Sequence, residues 1–369
     1  MAIEHIDGVL SSAEDLSGYV TALLEACGAD HASSAATARA VVDASARGVD
    51  THGVRLVPWY VQMLEGGRIN KQPEMRFTRK AAAVGHVDAD DGFGHQASFR
   101  AIAEGIAMAR ETGVAAVTVG RSTHHGASGV YALEAARAGF AAIAMTHADR
   151  AVVPFGGTAP FFGTNPIAFA VPAPGEEPVL LDMATSAIPY NRIFLRRATG
   201  TPLPPDIAMT PDGTFTTDPF AATALAPVGG ADFGYKGAGL ASMVDILCSA
   251  FTGMGHGFTI PPLAGEHYDE PIPIGHFFLV LNPVLFQALG AFDARIAAFL
   301  HDLRAQPAKP GKTVMAPGDV EKAEAVRRRE HGIPIDAVTW KDMAETAERR
   351  GVKVPQTRPT SARNEPNAE

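Results

Sequence analysis

The stretch Gly120-Arg121-Ser122-Thr123-His124-His125-Gly126-Ala127-Ser128-Gly129 puts two adjacent imidazoles in a bend flanked by glycines. An imidazole exchanges a proton near neutral pH, so it can act as an acid in one direction of a reaction and as a base in the other. Neighbouring residues on a bent segment point in different directions, so only one of His124 and His125 is expected to face a substrate. The plainer reading makes both of them loop histidines bonded to backbone groups. A second motif, Thr51-His52-Gly53-Val54-Arg55, lies upstream. A guanidinium pairs bidentately with a carboxylate, so Thr51 and Arg55 are candidates for holding an anionic substrate beside a proton donor. The plainer reading has Thr51 as a helix N-cap and Arg55 as a solvated surface charge.

Three further places carry suitable groups. Asp182 ends the apolar run before Met183-Ala184-Thr185-Ser186, where a carboxylate can accept ribose hydroxyls or orient a histidine. Gly163-Thr164-Asn165-Pro166 reads as a turn that could present a hydroxyl and an amide. Lys236 sits in Gly234-Tyr235-Lys236-Gly237-Ala238-Gly239, read as a loop whose glycines let a phosphate or carboxylate approach the backbone. A metal site would need convergence of His52, His124, His125 and His147, but no HExxH or comparable ligand spacing occurs. No metal is therefore expected.

The elements that position these groups follow from apolar periodicity and punctuation. Ser12-Ala13-Glu14-Asp15 resembles a capping box, followed by Leu16, Val20, Leu23 and Leu24 at helical spacing and a stop at Gly28. A second helix is expected over 33–47, and a third from Val57, Tyr60, Val61 and Leu64 up to Gly66-Gly67. A strand over 81–87 and a turn-rich segment over 88–94 precede a helix over 96–111. Strands are expected over 114–119, 141–146, 166–171, 179–182 and 277–281. Helices are expected over 130–138, 237–251 and 283–303, and an amphipathic helical stretch over 320–352. The order argues α/β or α+β. No GxGxxG both follows a strand and opens a helix, which argues against a Rossmann domain.

Composition bounds the function. With 369 residues, 46% of them hydrophobic, the chain can bury a large core. A net charge of -9 without a basic cluster argues against nucleic-acid binding. Two cysteines, Cys27 and Cys248, both in apolar segments, fit a reduced compartment. No signal-peptide pattern or membrane span is read, so a cytoplasmic protein is expected.

Taken in order, the motifs resemble the malate/L-lactate dehydrogenase family, which includes ureidoglycolate and sulfolactate dehydrogenases and piperideine-2-carboxylate reductases. Asp50-Thr51-His52-Gly53-Val54, Ser122-Thr123-His124-His125-Gly126, Gly163-Thr164-Asn165-Pro166-Ile167-Ala168, Asp182-Met183-Ala184-Thr185-Ser186 and Lys236-Gly237 carry the resemblance. Thr217-Asp218-Pro219 and Ala316-Pro317-Gly318 also look like the family, and the matches run from about residue 10 to 350.

The resemblance implies a non-Rossmann α/β fold with a largely antiparallel mixed sheet flanked by helices, similar to sulfolactate dehydrogenase. It implies one dehydrogenase unit over 1–354. A helical part would occupy 1–75, a cofactor and catalytic part 76–290, and a helical part 291–354, with a flexible tail over 355–369. It implies NAD or NADP as cofactor, a small carboxylic acid as substrate and a homodimer. His124 becomes the acid/base for interconverting a 2-hydroxy and a 2-oxo acid. Thr51, His52, Arg55 and Tyr60 become substrate residues, and Thr164, Asn165, Asp182, Met183, Ala184 and Lys236 cofactor residues. Reduction of a cyclic imino acid is the alternative within the family; a metal-dependent hydrolase or lyase and a non-catalytic binding relative are the alternatives outside it.

There are departures. The family commonly has its arginine where Leu56 stands, one residue after Arg55, and such a shift on a helix turns a side chain by about 100°. Arg121 or Arg192 would then be substitutes. His125 stands where many members have phenylalanine, which would make that part of the pocket more polar.

Overall fold

A computed structural model describes residues 7–265 and 267–360. Its helices begin where local chemistry favours them. Ser12 accepts the Asp15 N–H at the start of α1 (Ala13–Ala26), and Asp30 accepts the Ser33 N–H at the start of α2 (His31–Ala46). Asp50–His52 and Val54–Leu56 form two 3-10 turns before α3 (Val57–Gly66). Thr51 is therefore inside a turn and caps no helix. The apolar stripe of α1, Leu16, Val20, Leu23 and Leu24, packs with Val41, Val57, Tyr60, Leu64, Ile333 and Met343 in one core. That core is sealed by β1 (Gly8–Ser11), which lies between two later strands.

The second core surrounds a seven-stranded sheet. Its strands are β2 (Arg76–Ala81), β3 (Val84–Asp88), β4 (Val114–Ser122), β5 (Ala141–Thr146), β6 (Ile167–Val171), β7 (Val179–Met183) and β10 (Ile274–Leu281). Two short strands, β8 (Ala208–Met209) and β9 (Ala224–Leu225), pair separately. The spatial order is β2-β3-β4-β10-β5-β6-β7, and only β3 and β4 run parallel. The expected mixed, largely antiparallel sheet is thus found. Successive residues of β10 face opposite layers, as a strand requires. Phe278 and Val280 join the core under α4 (Gly94–Thr112) and α5 (Gly129–Arg137), whereas Phe277 packs with Val244 and Cys248 of α7 (Gly230–Cys248).

Several expected bounds are corrected. The single strand over 81–87 is a hairpin, β2 with β3, because the exposed edge strand Arg76–Ala81 has no apolar alternation to reveal it. Helix α6 (Asn191–Thr199) was not expected, and α7 begins seven residues before Gly237. The 283–303 stretch is a 3-10 turn, Pro283–Leu285, followed by α8 (Leu289–Arg304). The helical stretch over 320–352 is broken: α9 (Asp319–His331) and α10 (Ala337–Arg350) flank β11 (Ile333–Asp336). In the tail, β12 (Arg358–Pro359) pairs with β1 on the side opposite β11.

Candidate active site

Sheet topology brings the motifs to one edge. Strand β10 is antiparallel to both β4 and β5, with Ile274 opposite Ser122 and His276 opposite Thr146. The ends of β4 and β5 therefore lie beside the start of β10. Ile167 opens β6 opposite Met145 and Met183, so the start of β6 and the end of β7 lie at the same edge. The segments 122–126, 147–150, 163–166 and 183–186, far apart in sequence, leave or enter the sheet together.

His124 follows β4 by two residues and is half-buried. Its Nδ1 lies 2.8 Å from the Tyr60 hydroxyl and 3.3 Å from the Gly126 N–H. With the ring proton on Nε2, Nδ1 accepts from both. With it on Nδ1, the Tyr60 oxygen accepts instead, because a phenol can donate or accept. Nε2 has no partner among the described residues. The His52 ring stacks at 5.8 Å and 22°, and the Trp59 ring meets His124 edge-on at 5.3 Å. Burial, reinforced by His52, His95 and His276, holds the His124 pKa well below the ordinary histidine value, so the free ring is neutral. An anionic ligand beside it would favour the imidazolium.

The bend that bears His124 is held by the segment 92–95. Thr123 donates its hydroxyl to the Gly92 carbonyl and accepts the Gly94 N–H, both at 3.1 Å. A side chain on Gly94 would meet the Thr123 carbonyl oxygen at 2.1 Å, so only glycine allows this approach. His95 is fully buried, its pKa lowered to about 3 by burial, and stands edge-on to Tyr60 at 4.8 Å. Its Nε2 has no partner among the described residues and packs against Gly126, whose φ of +72° also requires glycine. Trp59, Gly94 and His95 were not singled out from sequence. The Gly92-Phe93-Gly94 run read only as a turn, and a histidine opening a helix carries no signal by itself.

Of the upstream motif, Thr51 bonds its neighbour His52, with Oγ1 3.0 Å from Nδ1. Asp50, just before it, is paired with buried Arg328, Nη2 to Oδ2 at 2.9 Å. Arg55 is exposed, with no ion pair to a described residue.

The sequence profile of the malate/L-lactate dehydrogenase family matches residues 11–344. The chain belongs to that family. The dehydrogenase is 33% identical over 306 residues to the NAD(+)-dependent ureidoglycolate dehydrogenase of Escherichia coli strain K12, covering 82% of this chain and 85% of the relative. It is 36% identical over 267 residues to the NADP(+)-dependent (2R)-3-sulfolactate dehydrogenase of Chromohalobacter salexigens, covering 72% and 78%. The structure of delta1-piperideine-2-carboxylate reductase from Pseudomonas syringae matches with a TM-score of 0.83 at 28% identity, covering 92% and 99%. The family thus makes this chain an NAD(P)-dependent dehydrogenase.

The residues at the sheet edge fit a nicotinamide dinucleotide. Thr164, Asp182, Met183 and Ala184 are half-buried there. The Thr164 hydroxyl and one Asp182 oxygen have no partner among the described residues and can bond ribose hydroxyls. The other Asp182 oxygen accepts the Gly129 N–H at 2.8 Å at the start of α5, so Asp182 holds a helix end and bonds no histidine among the described residues. Burial pushes the Asp182 pKa up to about 6. Asn165 is buried, with its side chain committed to Ala241, Asp245 and the Ala148 N–H.

Four expectations of the dehydrogenase's site change. Lys236 lies in helix α7, not in a loop, with its ammonium 5.3 Å from the Phe233 ring centre. The adjacent glycine serves packing, since a Cβ on Gly237 would meet Val228 backbone at 2.4 Å. His125 is fully buried, held by Ser98 at 3.0 Å and Ser128 at 2.9 Å and stacked on His276 at 4.4 Å, so it does not line the pocket. His147 is buried with both ring nitrogens on the Gly275 and Gly255 carbonyls, so His125 and His147 both turn away from His52 and His124. Arg121 is spent on Asp88, Asp90 and Asp91, so it cannot substitute for Arg55, whereas Arg192 is exposed on α6.

Proposed function

We propose that this dehydrogenase interconverts a small 2-hydroxy acid of the malate, lactate or ureidoglycolate type and its 2-oxo acid, with His124 as the acid/base. The observation that carries this reading is the His124 ring at the sheet edge, anchored through Nδ1 by the Tyr60 hydroxyl, with Nε2 free of any partner among the described residues. A bound nicotinamide supplies or accepts the hydride. In oxidation His124 takes the hydroxyl proton on Nε2; in reduction the imidazolium gives it to the carbonyl oxygen. Both reacting forms carry a proton on Nδ1, and Tyr60 accepts it. Arg55, which has no ion pair to a described residue, pairs with the substrate carboxylate, and Thr51 and His52 complete that wall. Thr164, Asp182, Met183 and Ala184 hold the cofactor.

Likeness to a piperideine-2-carboxylate reductase supports a second reading, reduction of a cyclic imino acid. One measurement separates the two: absorbance at 340 nm with NADH and NADPH against 2-oxo acids and cyclic imino acids. Turnover with a 2-oxo acid supports the first reading. Turnover only with an imino acid supports the second. If neither these acids nor 2-hydroxy acids tested oxidatively give turnover, both readings fail.

The protein is further proposed to be a cytoplasmic homodimer. The outer face of α7 and the turn after it expose Phe233, Leu240, Met243, Ile246 and Phe251, an apolar patch of the kind that marks an interface. Cys27 and Cys248 are buried free thiols, as a reducing compartment allows. A monomeric mass by light scattering would remove the dimer.

A further inference from the structure

Among the described residues of α9, Arg328 alone is buried, at 5% exposure. A helix that docks on a protein usually turns apolar groups inward; this one turns a guanidinium. Its Nη2 donates to one Asp50 oxygen at 2.9 Å, and its Nη1 donates to the other. Nη1 also donates to the Ser45 carbonyl at 2.6 Å, and Nε donates to Glu324, one turn back on α9. Gly48, with a φ of +84°, lets α9 come this close, since a Cβ there would meet the Glu324 Cγ at 2.8 Å.

These bonds grip the Asp50–His52 turn, which presents Thr51 and His52. Asp50 opens the turn. Ser45, near the end of α2, fixes its exit: the Ser45 hydroxyl oxygen accepts the Val54 N–H at 2.9 Å, and a Cβ on Gly53 would meet that oxygen at 2.0 Å. Entry and exit are therefore tied to one guanidinium. Within the turn, the Thr51 hydroxyl bonds His52, and the His52 ring stacks on His124. Contacts thus run without a break from α9 to the ring beside His124.

We propose that Arg328 is a positioning residue for the acid substrate: it orients the Asp50–His52 turn so that His52 stays against His124 and the substrate wall keeps its shape. The inference rests on the dehydrogenase reading above, in which Thr51 and His52 form part of that wall. A buried ion pair is a poor device for stability alone, because apolar groups of similar volume often serve as well. What the pair supplies is direction. A guanidinium fork fixes both oxygens of one carboxylate, and with them the peptide that carries it. A lysine would keep the charge and lose the fork.

The test is steady-state kinetics at 340 nm on the wild type, Arg328→Lys, Asp50→Asn, His52→Ala and the double variant Arg328→Lys/His52→Ala. Each is also titrated calorimetrically with NADH and NADPH and melted thermally. Arg328→Lys should raise KM for the acid about 10- to 100-fold, with kcat held within about 3-fold and cofactor affinity unchanged. Asp50→Asn is nearly isosteric and should shift KM in the same direction, so it tests the link even where Arg328→Lys does not fold. In the His52→Ala background, Arg328→Lys should change KM by less than about 2-fold, because its effect passes through His52. A lowered Tm with wild-type KM in both single variants would overturn the inference and leave the pair a support of the fold only. Equal effects of Arg328→Lys with and without His52 would overturn it too, as would cofactor affinity lost in step with that for the acid. In each of these cases the dehydrogenase reading stands. A wild type that turns over no 2-oxo, 2-hydroxy or cyclic imino acid would overturn both.

Discussion

The hydroxyl of Tyr60 lies 2.8 Å from Nδ1 of His124, while the Tyr60 ring meets buried His95 edge-on. The phenol thus joins a rigid interior to the ring proposed to change its proton count. Tyr60→Phe keeps the packing and removes the one group able to accept the Nδ1 proton. Loss of a single neutral hydrogen bond predicts a kcat lowered about 2- to 10-fold with KM little changed. Steady-state kinetics at 340 nm would show it; an unchanged kcat would remove Tyr60 from the mechanism.

His124→Ala should lower kcat by about 10²- to 10⁴-fold, the usual worth of a positioned general acid or base. Cofactor affinity should persist, because Thr164, Asp182, Met183 and Ala184 are untouched. Near-normal turnover would sink the assignment of His124, and lost cofactor affinity would show that the residue has another role.

The depressed pKa of His124 fixes the sign of a pH dependence. Oxidation needs the neutral ring, so its kcat/KM should hold down to a pH below about 6.5, the ordinary histidine value, and fall only beneath that. Reduction needs the imidazolium, so its kcat/KM should already be falling as pH rises through neutrality. Rate profiles in both directions check this. An acid limb for oxidation at or above the ordinary value would contradict the burial argument.

The parts of this site that were legible in the sequence are those with strong local signals. A run of six residues ending at Val119, apolar except for Thr118, announced β4, and the glycines around His124 announced the bend after it. The family resemblance carried the sheet type, which no local pattern supplies. What misled was context. Glycines around Lys236 read as a loop, but Gly237 is there so that α7 can press against Val228. His125 read as pocket lining, yet hydroxyls from Ser98 and Ser128 and the ring of His276 receive it in the interior, and their convergence exists only after folding. Strand β11 was lost because four residues between two helices leave too short a period to detect.

Asp182 should leave a mark on stability. Its carboxyl, raised from 3.8 to about 6 by burial, binds its proton more tightly in the native state than in the unfolded chain. The unfolded chain releases that proton first as pH rises, so this residue lowers stability between those two values and adds no further slope above them. Asp182→Asn can still accept the Gly129 N–H but cannot ionise. The Tm of the variant relative to wild type should therefore rise across that window and then level off. A pH-independent difference in thermal melts would show that Asp182 ionises normally.

Strand β1 lies between β11 and β12, so Val9 pairs with both Ile335 and Pro359. During synthesis both edges of β1 wait unsatisfied until β11 and β12 have been made, and an unpaired strand edge is a template for pairing with other molecules. The helical layer that carries Thr51, His52 and Tyr60 is closed by strands made more than three hundred positions after β1. The segment that bears Thr51, His52 and Tyr60 would reach its folded setting only once β11 and β12 are made, which makes those late strands a checkpoint on the early helices.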